Sequence, residues 1–174
     1  MNVLGILRGF PGLGRVVSGT AILETLRDEY NCNIEIISYL QGQNFLEKRG
    51  HVKECDVTPL HYCSIGLLPT NKMGAYIHQR IKKFYPDIVI IDGEPLILHS
   101  LRISYPNLKI VSLLNPSDVD NPQNDVEAMD FFTSMYSLSN LAIVHGLRGV
   151  ETDKYKSIIS INTILRKEIL NIKN

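Results

Sequence analysis

Only three cysteines occur in this sequence, Cys32, Cys55 and Cys63, and an odd, scattered set builds no disulfide framework. A small disulfide-stapled scaffold is excluded, and a reducing compartment, the cytoplasm, is the expectation. Excess charge of either sign is also missing, because 18 Lys plus Arg balance 18 Asp plus Glu. No global field draws the chain to nucleic acid, so no nucleic-acid partner is expected. No apolar run reaches membrane-spanning length, and no basic segment precedes an apolar stretch at the N-terminus. Neither a span nor a secretory leader is expected, while peripheral contact with a membrane stays open. Internal repeats and low-complexity tracts are likewise lacking.

What is present is enough apolar material for a core: 174 residues, 44% of them hydrophobic, suffice for one self-supporting domain. Residues 2–8, "NVLGILR", are an apolar run of strand length. From Val16 to Tyr30 the spacing is helical, with Val16, Gly19, Leu23, Leu26 and Tyr30 on one stripe. Residues 33–39 read as a second strand, 41–50 as a short helix, and "HVKECDV" (51–57) alternates as a third strand. An oddly apolar loop follows, "TPLHYCSIGLLPTNK" (58–72), too greasy for open water. It is expected to cover the sheet edge, line a pocket or meet a partner.

Helical spacing resumes over 72–84 and stops at Tyr85-Pro86. "DIVII" (87–91) is apolar on both faces, as a central parallel strand must be. A helix over 95–105 leads to a strand at 109–114 and the polar loop "NPSDVDNP" (115–122). Asn121 is expected to cap, and Pro122 to open, a helix running to Ser139. Strands at 141–146 and 157–162 complete the series. The alternation predicts an α/β fold: a doubly wound parallel sheet, three-layered and Rossmann-like, over 1–162, with 163–174 as a tail or interdomain linker. Ligands in such sheets bind at the carboxyl ends of the strands, which places 9–15, 92–94, 115–120 and 145–148 on one rim.

The glycines of "RGFPGLGRVVSG" fall on the turn between the first strand and the first helix, where backbone N–H groups can meet a phosphate. Gly12 and Gly14 match two glycines of the dinucleotide fingerprint, but Val17 stands where the third belongs, and no acidic residue closes the second strand. NAD is disfavoured. Gly9 and Gly14 have the spacing of a phosphate loop, but Arg15 and Val16 replace its lysine and hydroxyl. Either the glycines only permit a tight turn, or they carry a ligand role outside both motifs. His51, Cys55, His61 and Cys63 lie within a short span but lack the paired knuckle of structural zinc sites. No metal is expected.

"GFPGLGRVVSGTAILETL" after a first strand and "PDIVIIDGEPL" around a later one resemble the N-terminal, acceptor-side half of GT-B glycosyltransferases, the MurG-type and related nucleotide-sugar transferases. The resemblance implies a single Rossmann-like half of a two-domain enzyme, with a glycine-rich loop at the interdomain cleft and a D-x-E-P turn on the acceptor side. Two departures matter. Arg15 stands where many relatives carry a histidine, and an arginine, with a pKa above ~12, is no base at neutral pH, though its fork could hold phosphate or carboxylate. The donor-binding second domain is also not in this chain, which implies inactivity unless one is supplied in cis or in trans.

Under that resemblance the partners are a nucleotide-sugar donor and an unknown acceptor, with no cofactor. Asp92 and Glu94 are the candidate bases, and Gly12, Leu13, Gly14, Arg15, Asn115 and His145 the candidate binding residues. Transfer needs a base on the acceptor hydroxyl and stabilisation of the departing diphosphate. A bland alternative has Asp92 capping the helix that begins at Pro95. Two rival readings stay open: a non-catalytic Rossmann-like partner subunit, and a nucleotide-binding α/β protein with a degenerate glycine loop.

Overall fold

A computed structural model describes residues 1–51, 70–151 and 157–170. Strands and helices alternate: β1 (Asn2–Leu7), α1 (Gly14–Tyr30), β2 (Asn33–Ile37), α2 (Gln41–Lys48), α3 (Thr70–Phe84), β3 (Ile88–Asp92), α4 (Leu96–Ser104), β4 (Lys109–Leu114), α5 (Pro116–Val119), α6 (Val126–Tyr136), β5 (Leu141–His145), β6 (Ile158–Ile161) and α7 (Lys167–Leu170). Among the described residues these strands form one sheet in the order β2-β1-β3-β4-β5-β6, with every pairing parallel. This is the expected Rossmann-like α/β architecture.

Burial on two faces explains why the strands read as unbroken apolar runs. In β1, Leu4 and Ile6 face one core with Ile91, Leu98 and Ile110. Val3 and Leu7 face the other, with Val16 and Leu23 of α1. The β1–α1–β2 unit winds one way across the sheet, and the chain from β3 onward winds the other, so the winding reverses between β1 and β3. A crevice opens at such a reversal, just beyond the strand tips.

Several boundaries differ from expectation. Helix α1 opens at Gly14, two residues before Val16, and its buried stripe stops at Leu23, leaving Tyr30 69% exposed. Gly19 does permit close helix-to-sheet contact: a Cβ there would lie 2.4 Å from Leu7 Cδ2. Asn121 and Pro122 do not begin a helix. Asp125 caps α6 instead, its Oδ1 accepting from the Ala128 N–H at 2.9 Å, while Asn121 Oδ1 accepts from the Gln123 N–H within a local turn. Asp125 Oδ1 reaches a free N–H of the first turn, whereas Asn121 Oδ1 is engaged within its own turn, so the cap goes to Asp125. The loop "NPSDVDNP" contains α5, which Asn115 and Asp118 close in a reciprocal capping box. The tail crosses to α1, with Lys167 Nζ 3.1 Å from Glu29 Oε1.

The strand expected at 51–57, except for His51, lies outside the described residues, as does all of the apolar loop before Thr70. No described helix is long and apolar enough to cross a membrane.

Candidate functional site

The tips of β1 and β3 are tied at the reversal point, where the Arg8 N–H donates to the Asp92 carbonyl at 2.9 Å. Asp92 ends β3 between two neighbouring strands, and it is completely buried. A carboxylate so placed must be paired. Arg15 Nη1 donates to its Oδ1 at 3.1 Å, and the Ser18 hydroxyl to its Oδ2 at 3.0 Å. The same guanidinium reaches onward, with Nη2 donating to both Asp118 oxygens at 2.7 Å. One arginine therefore fastens the first turn of α1 to β3 and α5.

The electrostatics follow from this packing. Burial pushes the Asp92 carboxyl up to about 6, against the opposing pull of Arg15 and Ser18. Burial also works against the Arg15 charge, but Asp118 and Asp92 outweigh it and hold the guanidinium above its ordinary pKa. Arg15 is thus engaged inside the protein rather than presented as a free fork. Asp92 does not cap the following helix, since no side chain caps α4.

Glu94 lies two residues beyond, past Gly93 at φ +78°. It too is completely buried. The Tyr39 hydroxyl donates to its Oε1 at 2.5 Å, and Arg8 Nε is 4.0 Å from the same atom. Its other oxygen, Oε2, has no hydrogen-bond partner among the described residues. Burial pushes the Glu94 carboxyl up to about 7, with Arg8 and Tyr39 pulling the other way. Burial and the Glu94 charge raise the Tyr39 phenol, which keeps it a donor.

A cavity of about 320 Å³ opens between the segments that follow β1 and β3 and helices α5 and α6; Arg8 and Pro95 line it, whereas Glu94 and Tyr39 lie behind its wall. Its wall mixes polar groups, among them Arg8, Ser117, Asp118 and Asp125, with the apolar Pro95, Met129 and Phe132. Arg8 touches both features, lining the cavity while facing Glu94. The volume falls at the small end of ligand sites, roughly 300–1,000 Å³.

The remaining predicted residues are spread along the same rim. Gly12 is at φ +78°, with its N–H donating to Gln41 Oε1 at 3.1 Å. Leu13 is 39% exposed and occupies the N-cap of α1, which has no side-chain cap and no acid in its first turn. Nothing lies within 4 Å of a Cβ built on Gly14. Asn115 donates its N–H to Asp118 Oδ2 at 2.8 Å. His145 is buried at the β5 tip, where Nε2 has no described partner. Burial and the Arg15 charge push its pKa down, leaving a neutral imidazole.

Arg15, Asp92 and Asn115 are therefore joined, through Asp118, into one network; Glu94 sits beside it. His145 shares the rim without a described hydrogen bond. Sequence reasoning did not single out Arg8, Ser18, Tyr39 or Asp118. For Asp118 a signal exists, the Asn-x-x-Asp spacing of a capping box. Of the possible zinc ligands only His51 is described, and its Nε2 lies 3.1 Å from Glu24 Oε1. No protein-family model matches the chain, and no curated protein matches it.

Proposed function

We propose that the chain is the acceptor-binding half of a GT-B glycosyltransferase, transferring a sugar from a nucleotide-sugar donor held by a second domain. The observation that carries this reading is Glu94: a buried carboxyl just past the β3 tip, facing Arg8 of the cavity wall, with one oxygen lacking a described partner and a pKa pushed up to about 7. A base poised near the working pH removes a hydroxyl proton with least waste. Glu94 is thus the base of the proposed displacement, taking the acceptor proton as the oxygen attacks the anomeric carbon. Asp92, with both oxygens bonded to Arg15 and Ser18, is a positioning residue. The uncapped N-terminus of α1 and the open turn at Gly12 and Gly14 support a role for this loop near donor phosphate, where partial positive charge stabilises the leaving diphosphate.

The test is transfer from a panel of radiolabelled nucleotide sugars by the native assembly isolated with this chain. Glu94→Gln is expected to lower turnover at least 100-fold with the fold retained. Tyr39→Phe should move the acidic limb of the pH–rate profile, because the phenol biases the Glu94 proton. No transfer from any donor, or tight binding of a nicotinamide dinucleotide by the isolated chain, overturns the reading.

A further inference from the structure

The turn between β2 and α2 has a backbone conformation that its residue type does not favour. Tyr39, Leu40, Gln41 and Gly42 close a turn in which the Gly42 N–H donates to the Tyr39 carbonyl at 3.1 Å. Leu40, its second residue, stands at φ 50° and ψ −121°. Type II′ turns put this conformation at that position and fill it with glycine, because a Cβ is strained there. A leucine keeps such a backbone only where its surroundings impose it.

The surroundings do so from both ends of the turn. The Ser38 hydroxyl donates to the Leu7 carbonyl at 2.9 Å, holding the chain after β2 to the end of β1. The Gly42 N–H also donates to the Gly9 carbonyl at 3.2 Å. These two glycines meet backbone to backbone, since a Cβ on Gly42 would lie 2.6 Å from Gly9 Cα. The Leu40 side chain is half-buried, packed against the core that contains Ile37 and Tyr39.

Leu40 separates two side chains that reach different parts of the rim. Tyr39, before it, is buried and donates its hydroxyl to Glu94 Oε1 at 2.5 Å. Gln41, after it, accepts the Gly12 N–H at 3.1 Å. Arg8, Arg15, Asp92 and Tyr39 are the charged and titratable groups that act on Glu94. Arg8 follows β1, Arg15 lies in α1 and Asp92 ends β3, so Tyr39 alone depends on this turn. Its hydrogen bond favours the ionised carboxylate.

Resting on the reading of Glu94 as the base, we infer that Leu40 is a positioning residue: its strained turn aims the Tyr39 hydroxyl at Glu94 and Gln41 at Gly12. One turn thereby sets both the proton affinity of the base and the shape of the glycine turn before α1. Glycine at this position would adopt the same backbone without strain, but it would also have many others within reach and no side chain to rest on the core.

The experiment is a carbon-detected NMR titration of the Glu94 side-chain carboxyl in the 174-residue chain. Leu40→Gly should raise the Glu94 midpoint by roughly half a pH unit or more, as Tyr39→Phe should, because a donor to the carboxylate is lost. The double variant should match Tyr39→Phe alone, since Leu40 acts through the phenol. Exchange of the Gly12 amide should quicken about 5-fold or more in Leu40→Gly, where Gln41 no longer holds it. Leu40→Asn, also accepted by such turns, repeats the test if Leu40→Gly does not fold. Leu40→Met, which keeps an apolar anchor, should retain the native midpoint. A Glu94 midpoint unmoved in the folded Gly or Asn variant overturns the inference, as does an equal shift with and without the Tyr39 hydroxyl. The two readings fail separately. A moved midpoint without transfer by the native assembly removes the transferase and leaves the positioning role. Transfer with an unmoved midpoint does the reverse.

Discussion

Arg15 on α1 and Asp118 on α5 are joined by two hydrogen bonds of 2.7 Å from a single guanidinium nitrogen, 103 residues apart in sequence. The same guanidinium also holds the completely buried Asp92. Removing one partner of such a group leaves uncompensated charge inside, at a typical cost of about 3–5 kcal/mol. Arg15→Met is expected to lower stability by about 3 kcal/mol at pH 8 in urea unfolding. The loss should shrink at pH 5, where the stranded Asp92 takes up a proton. An unchanged unfolding midpoint would show that the network carries little stability.

Gly93 shares its space with the same arginine. At φ +78° an L-residue is strained, and a Cβ there would lie 2.4 Å from Arg15 Cδ. Gly93→Ala should therefore cost about 1–3 kcal/mol from the backbone alone, and displace Arg15 in addition. Calorimetry on the single variant and on Gly93→Ala with Arg15→Ala separates the parts, because the second term vanishes once the Arg15 side chain beyond Cβ is gone.

Asp92 and Glu94 both have folded pKa values above their ordinary 3.8 and 4.5, at about 6 and about 7. The folded state therefore binds more protons than the unfolded chain across this interval, and stability from these groups falls as pH rises. Their contribution is complete below about pH 4 and lost by about pH 7. Glu24 has the opposite shift, its carboxyl drawn down by Arg49 and His51 against its burial, so the total profile is a mixture. The prediction concerns the difference: Glu94→Gln should gain stability relative to the native chain between pH 5 and pH 8. A difference that is flat with pH would place the Glu94 pKa in the ordinary carboxylate range.

The rim glycines should divide sharply. A Cβ on Gly9 would lie 1.9 Å from the Tyr39 backbone oxygen, whereas one on Gly14 meets nothing within 4 Å. Gly9→Ala should lower the melting temperature markedly. Gly14→Ala, at the first position of a helix, should leave stability unchanged or raise it by up to about 1 kcal/mol. If the proposed donor contact is made by this backbone, transfer should fall in Gly14→Ala without loss of stability; retained transfer would remove Gly14 from the site.

Much of the fold was legible in the sequence because buried parallel strands leave a local signature. The run 88–91 and the helical spacing of 16–23 are apolar for the same reason, contact with one sheet. Helix starts were less legible where polar residues crowd, and Asn121 lost to Asp125 because caps are decided by which side chain reaches a free N–H. Asp92 and Glu94 could be placed on a rim by strand order, but nothing local separates a carboxylate with both oxygens engaged from one with an oxygen to spare.

The amino-acid order by itself determined the alternation of strands and helices, the parallel sheet and the rim on which the polar residues gather, since each depends on hydrophobic periodicity and short connections. Only the tertiary structure decided that Arg15 turns inward to Asp92 and Asp118, and that Glu94 keeps a buried oxygen with no described partner. Those relations join β1, α1, β3 and α5 across as many as 103 residues, and burial, which sets their charge states, exists only once the elements have packed.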